Sequence, residues 1–318
     1  MLIRSEKELK ITLIVMSLSL GLEGARQGWY HLIFRPGAAN HNKHALLGDN
    51  NGVAVGMLML APIFFALYQT TERKIIKYGF LFLAIGVMYR ALSTYSRGGF
   101  LTFFAMCIIF WLRSKHKARL TLAAVLFFAL ILPTLPQEFW DRMDTITVNE
   151  DGERESSSAR RIYFWELAWR MAKSNPLHGV GHDSYRDAYS AFDYTGDRIN
   201  RATHSAWFGV LAEWGFPGLF LFLSIYGYSL FSCARVRRRC KNSHELRFLR
   251  IYVNGIETSL ITASVGITFL SLQYLEMLWH LFALAVACNH MHRLQEATED
   301  TRLNNIVENT DLLERETT

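Results

Sequence analysis

The chain has 318 residues, 51% of them hydrophobic and 14% aromatic, with a formal net charge of +6. The mean hydropathy of +0.11 hides a segregation of long apolar runs from polar stretches, which excludes a single soluble core and points to a polytopic membrane protein. The basic residues form short clusters beside apolar runs, which excludes a nucleic-acid footprint, and Cys107, Cys233, Cys240 and Cys288 show no disulfide or metal-site spacing.

In chain order, the opening run ITLIVMSLSLGL is expected to stay as a first span, not to be cleaved as a signal peptide, because the charge pattern downstream requires it. A connection follows in which His41 and His44 lack a matching carboxylate motif and read as interfacial histidines. Asp49, Asn50 and Asn51 then offer N-cap side chains for the run GVAVGMLMLAPIFFALY. With FLFLAIGVMY, LTFFAMCIIFWL, LTLAAVLFFALILPTL, GLFLFLSIYGYSLF, SLITASVGITFLSL and the run around LWHLFALAVAC, about eight spans are expected. The division is five spans over residues 1–135, a large outer loop over 136–203, three spans over 204–292 and a polar tail over 293–318. Lysine and arginine concentrate in the N-terminal IRSEKELK, in RKIIK, RSKHKAR and RVRRRCK. The positive-inside rule therefore places both termini in the cytoplasm and the large loop outside.

Four arginines and one histidine stand out on the outer side. Arg97, in TYSRGGFL, follows the third span, and Gly98-Gly99 permit close approach of backbone or ligand. Arg90 lies seven residues earlier, nearly on the same helical face. A pair of outward arginines suits a phosphate or diphosphate, and an interfacial arginine paired with a loop carboxylate is an equally good reading of the residue types. Arg160 and Arg161 open a helical stretch, ARRIYFWELAWRMAKSNP, behind Ser156, Ser157 and Ser158, which are read as N-capping. Cations near a helix N-terminus are unfavourable unless an anion is present; pairing with Glu153 or Glu155 is the alternative. Ile162, Trp165, Trp169 and Ala172 recur at helical spacing and mark a face for the membrane surface. Asn175-Pro176 ends the helix, and HGVGHDSY turns into a second short one. His178 and His182 flank glycines and do not form a helical metal pair. His204 opens the next span, either as an interfacial or capping residue or as a titrating group. Glu213 falls half a turn away from its face and is not paired with it. Gly215, Pro217 and Gly218 are expected to kink that span. Glu276 and His280 read as a buried structural pair.

In their order, YSRGGFL, RIYFWELAWRMAKSNPLHGVG and HSAWFGVLAEWGFPGL resemble the O-antigen ligase and polymerase superfamily, and LLGDNNGVAVGMLMLAPIF resembles its exosortase-associated O-glycosylation ligases. The resemblance implies an all-helical C-type glycosyltransferase bundle with a large periplasmic loop containing short helices, set in a bacterial inner membrane. It implies metal-independent, inverting transfer of a glycan from an undecaprenyl diphosphate carrier to a hydroxyl of lipid A-core or protein, with membrane lipids as surroundings and no cofactor. Arg97, Arg161 and, beside it, Arg160 would grip the diphosphate, and His204 would serve the acceptor. A repeat-unit polymerase is the same-family alternative, and a non-catalytic lipid-diphosphate binder or transporter the alternative of another class. Family members are longer, so the chain is expected to lack their N-terminal spans.

Overall fold

The computed structural model describes residues 3–44, 46–131, 156–196 and 201–316. Among these the fold is all-helical, with no strand. The helices are α1 (Glu6–Phe34), α2 (Asn50–Thr70), α3 (Lys74–Leu92), α4 (Arg97–Arg113), α5 (Lys117–Ile131), α6 (Ser156–Ser174), α7 (Tyr185–Phe192), α8 (Ala206–Arg239), α9 (Arg247–Thr268) and α10 (Glu276–Glu316). Three of them, α2, α3 and α8, are long and apolar enough to cross a membrane. The other expected spans also form helices. Of these, α4 has 17 residues, α5 is described only as far as Ile131, and α1, α9 and α10 mix polar and charged residues into their apolar stretches.

Helix α2 is the axis of the bundle. Asp49 caps it, its Oδ1 accepting from Gly52 N at 2.9 Å, and it is almost wholly apolar, so it has no polar face to turn outward and packs among α1, α3, α4 and α9. The α2–α9 crossing is close because α9 presents small residues to it. A Cβ at Gly255 would lie 3.0 Å from Pro62 O, and Ser259 Oγ donates to Met59 O at 2.7 Å, the small-residue contact that lets helix backbones approach.

The helices run up and down, so the chain has two ends. One carries the α2–α3, α4–α5 and α8–α9 connections with their basic clusters. There Glu257 of α9 binds Arg237 of α8 at 2.7 Å and Arg113 of α4 at 3.1 Å, and Lys10 Nζ of α1 donates to Thr70 O. The opposite end carries the N-termini of α2, α4 and α8, and the α6–α7 unit stands on it against α8.

Candidate functional site

The two glycine-rich motifs, GDNNG and TYSRGG, meet as one hydrogen-bonded layer. Ser96 caps α4, its Oγ accepting from Gly99 N at 3.1 Å while donating to Asn51 Oδ1 at 2.6 Å. Asn51 Nδ2 donates to Asp49 Oδ2 at 3.4 Å, and Asn50 Nδ2 to Thr94 O at 3.4 Å. Two helix N-termini therefore lie side by side, each presenting the positive end of its dipole. Arg97 is the first residue of α4 at that place, half-buried. Tyr95, two residues before it, holds φ 52 and donates its hydroxyl to Gly37 O.

Arg90 does not join Arg97 as an outward pair. It is 2% exposed and donates to Asn40 O at 3.1 Å and Asn42 O at 2.7 Å. Its guanidinium fastens the α1–α2 connection, because buried carbonyls need a donor and a buried cation needs acceptors.

His204 lies on the short segment before α8. It has φ 49, a left-handed conformation that is rare but tolerated for histidine. Thr203 Oγ1 bonds Ser205 O at 2.8 Å and Ser271 Oγ at 2.8 Å, which ties the segment to the α9–α10 connection. The imidazole is half-buried and packs on Phe164 of α6, ring centroids 6.0 Å apart. Arg161 lies one turn before Phe164. Burial pushes the imidazole below its ordinary value, the charge of Arg161 pushes it further, Asp49 opposes, and Arg201 and Arg186 add smaller depressions. These influences together favour the uncharged imidazole. Arg161 and the α2 cap Asp49 both act on it. Arg160 is half-buried beside Arg161. The α9–α10 connection adjoins Arg97's turn as well, since a Cβ at Gly98 would stand 3.9 Å from Phe269 Cβ.

The kink expected in α8 is present. Gly215 has φ 66 and ψ −166, a region open to glycine alone. The break, with Pro217 lacking an N–H, leaves the carbonyls of Ala212 and Glu213 without their helical donors. The HGVG turn supplies replacements: Val180 N donates to Ala212 O at 2.9 Å and Gly181 N to Glu213 O at 3.1 Å, while Phe216 N turns to Pro176 O at 2.9 Å. Gly179 and Gly181 have φ +64 and +108, and a Cβ at Gly179 would meet Ala212 O at 2.4 Å. The glycines in this motif serve backbone docking.

Several expectations are corrected. Ser156, Ser157 and Ser158 lie inside the first turn of α6, not ahead of it; Glu153 and Glu155 lie outside the described residues, as does residue 132–155 of the loop generally. The face of α6 buried in the protein is Phe164, Leu167, Ala168, Met171 and Ala172; of the stripe expected at a membrane surface, Ile162 and Trp169 are 56% and 41% exposed, while Ala172 is buried. Trp165 stacks on Phe208 of α8, centroids 5.2 Å apart. Glu276 and His280 are exposed, not buried. Glu213 does not pair with His204, as expected, but it has partners with no signature in the sequence: Tyr274, Gln273 and the backbone of Tyr185. Among the described residues no His, Cys, Asp and Glu cluster could hold a metal.

Residues 79–223, a little under half of the chain, match a family model described as O-antigen ligase. That stretch runs from α3 to the middle of α8 and contains Arg97, Arg160, Arg161 and His204. The match supports the O-antigen ligase superfamily and, coarsely, a ligase or polymerase activity. No curated protein matches the chain.

Proposed function

We propose that the chain is an O-antigen ligase-like glycosyltransferase that moves a glycan from an undecaprenyl diphosphate carrier to a hydroxyl of lipid A-core or protein. The observation that carries this reading is the packing of the His204 ring on Phe164 of α6, one turn from Arg161, whose charge reaches the imidazole, inside the family match. The exosortase-associated subgroup, an inner-membrane location with both termini cytoplasmic, and a periplasmic site end belong to the same proposal, as does the division at residues 135, 203 and 292.

The chemistry follows from charge. Breaking the sugar–phosphate bond leaves negative charge on the departing diphosphate, and Arg97 at the α4 N-terminus with Arg161 and Arg160 on α6 would hold it more tightly as it forms. Neutral His204 would take the acceptor's proton while its oxygen attacks the anomeric carbon from the face opposite the leaving group, inverting the centre. No step calls for a metal.

The test is release of undecaprenyl diphosphate from a glycan-loaded carrier by membranes containing the full chain and a mixture of acceptors. Arg97→Ala is expected to slow release about a hundredfold, and His204→Ala by about the same factor or more. Arg97→Lys should also be impaired, since it keeps the charge and loses the bidentate fork. Release that proceeds unchanged in Arg97→Ala and His204→Ala would overturn the assignment.

A further inference from the structure

Glu213 is 3% exposed and sits in α8 just before its kink. Its carboxylate accepts from Tyr274 Oη at 2.5 Å, from Gln273 Nε2 at 3.4 Å and from Tyr185 N at 3.4 Å. None of these donors is a cation. A buried carboxylate held only by neutral donors is costly to fold around, so its partners define what it does. Tyr274 is itself tightly placed: it accepts from Trp214 Nε1 at 3.0 Å and Asp183 N at 3.4 Å, and the His182 ring stands edge-on to it at 4.4 Å. Burial and the bond to Glu213 push its hydroxyl up to about 12, so it remains a donor.

Two arms lead from Glu213 to the two sides of His204. The first is the α9–α10 connection. Gln273 and Tyr274 fix it to Glu213, and two residues earlier Ser271 Oγ bonds Thr203 Oγ1 at 2.8 Å, next to His204 in the chain. The second arm starts at Tyr185, whose N–H bonds Glu213 and whose hydroxyl donates to Phe164 O at 3.0 Å. The Phe164 ring is the one on which the imidazole packs. His204 needs such holding, because its left-handed backbone at φ 49 is less favourable than the ordinary regions for a residue with a Cβ.

We propose that Glu213 is a positioning residue for His204: from within α8 it locks the α9–α10 connection and the start of α7, and through them fixes the backbone and packing of the histidine. The proposal rests on the reading of His204 as the acceptor-side base. The charged groups around His204 are Arg161 from α6, Asp49 from the α2 cap, Arg186 from α7 and Arg201 on its own segment; around Glu213 the charged group is Asp183, and Tyr274 is a neutral titratable donor.

The experiment follows the His204 imidazole directly, by NMR of full-length protein labelled at histidine, in nanodiscs, with His204→Gln to assign its signal. In the wild type it should titrate below the ordinary value of about 6.5. In Glu213→Ala the titration should move up toward that value, because the imidazole gains solvent and distance from Arg161. Glu213→Gln keeps an acceptor for Tyr274 and should move it less, and Tyr274→Phe, which keeps the carboxylate and cuts the shortest bond, should move it in the same direction. In the transfer assay kcat should fall about tenfold or more with donor KM unchanged. Glu213→Ala and Tyr274→Phe proteins that fold and leave the His204 titration at its wild-type position would overturn the proposal. If Glu213→Ala does not fold, Tyr274→Phe decides alone. A titration that moves in a chain whose wild type transfers nothing would sink the glycosyltransferase reading and leave the positioning intact.

Discussion

Two buried carboxylates, Glu257 and Glu213, sit near opposite ends of the bundle and are held in different ways. Glu257 is clamped between the guanidiniums of Arg113 and Arg237, with Asn254 and Thr258 completing the shell of Arg113. Glu213 has three neutral donors from two separate segments, the start of α7 and the α9–α10 connection. An ion cluster compensates charge and staples α4, α8 and α9 where they would otherwise expose basic side chains to the interior. A carboxylate held by neutral groups compensates much less and gains its value from placing the groups that bind it. The first end is built for stability, the second for geometry beside His204.

The sharpest way to break that contrast is at Glu257. Glu257→Ala leaves two partly buried guanidiniums facing each other, and the loss should be about 3 kcal/mol, the scale seen when one member of a buried ion cluster is removed. It would appear as a lowered unfolding midpoint in detergent, while the His204 titration of the protein that remains folded stays at the wild-type position. A shift in that titration would mean the two ends are not independent, and the contrast would fail.

Gly215 tests the other end. Alanine there would have to adopt φ 66 and ψ −166, and its Cβ would meet Pro176 O at 2.5 Å. The expected cost is about 2 kcal/mol, measured as a fall in thermal midpoint. Because the 176–181 turn docks on the kink, transfer activity per folded molecule should fall as well, which Glu257→Ala should not do. Equal loss of activity in the two variants would argue that stability alone limits transfer.

Much of this end was legible from local chemistry. Asp49 as a cap, the Asn175-Pro176 stop, the glycine turn and the Gly215 kink are decided within a few residues of chain, and the structure has each of them. What was not legible depends on distant partners without a sequence signature. Arg90 is satisfied by backbone carbonyls of Asn40 and Asn42, which every residue possesses. Glu213 finds Gln273 and Tyr274 across sixty positions of chain, in an irregular connection. The contact of α6 with α8, made by Phe164, Leu167, Ala168 and Met171, was not legible because their spacing carries no cue that separates a protein-facing from a membrane-facing side. Of the expected spans, α2, α3 and α8 stand out by length and apolarity alone, whereas α1, α9 and α10 mix polar and charged residues into their apolar stretches.

The smallest expected effect is also the most specific to the influence of Arg161's charge on His204. Burial comes first in holding the imidazole down and Arg161 second, with Asp49 pulling the other way and Arg201 and Arg186 contributing less. A base depressed below about 6.5 stays neutral as pH falls through that value, so the acid limb of the wild-type transfer rate should lie below it. Arg161→Gln removes one cation and leaves the burial, so the limb should move upward while the effect of burial remains. At neutral pH the same variant should raise donor KM, because the arginine is also read as a diphosphate ligand. The two effects separate by condition: the KM change persists at pH 8, where His204 is neutral in both proteins, and the limb shift does not. An acid limb that stays in place in Arg161→Gln would show that the arginine's charge does not reach the histidine, and the site would reduce to a diphosphate clamp with an independent base.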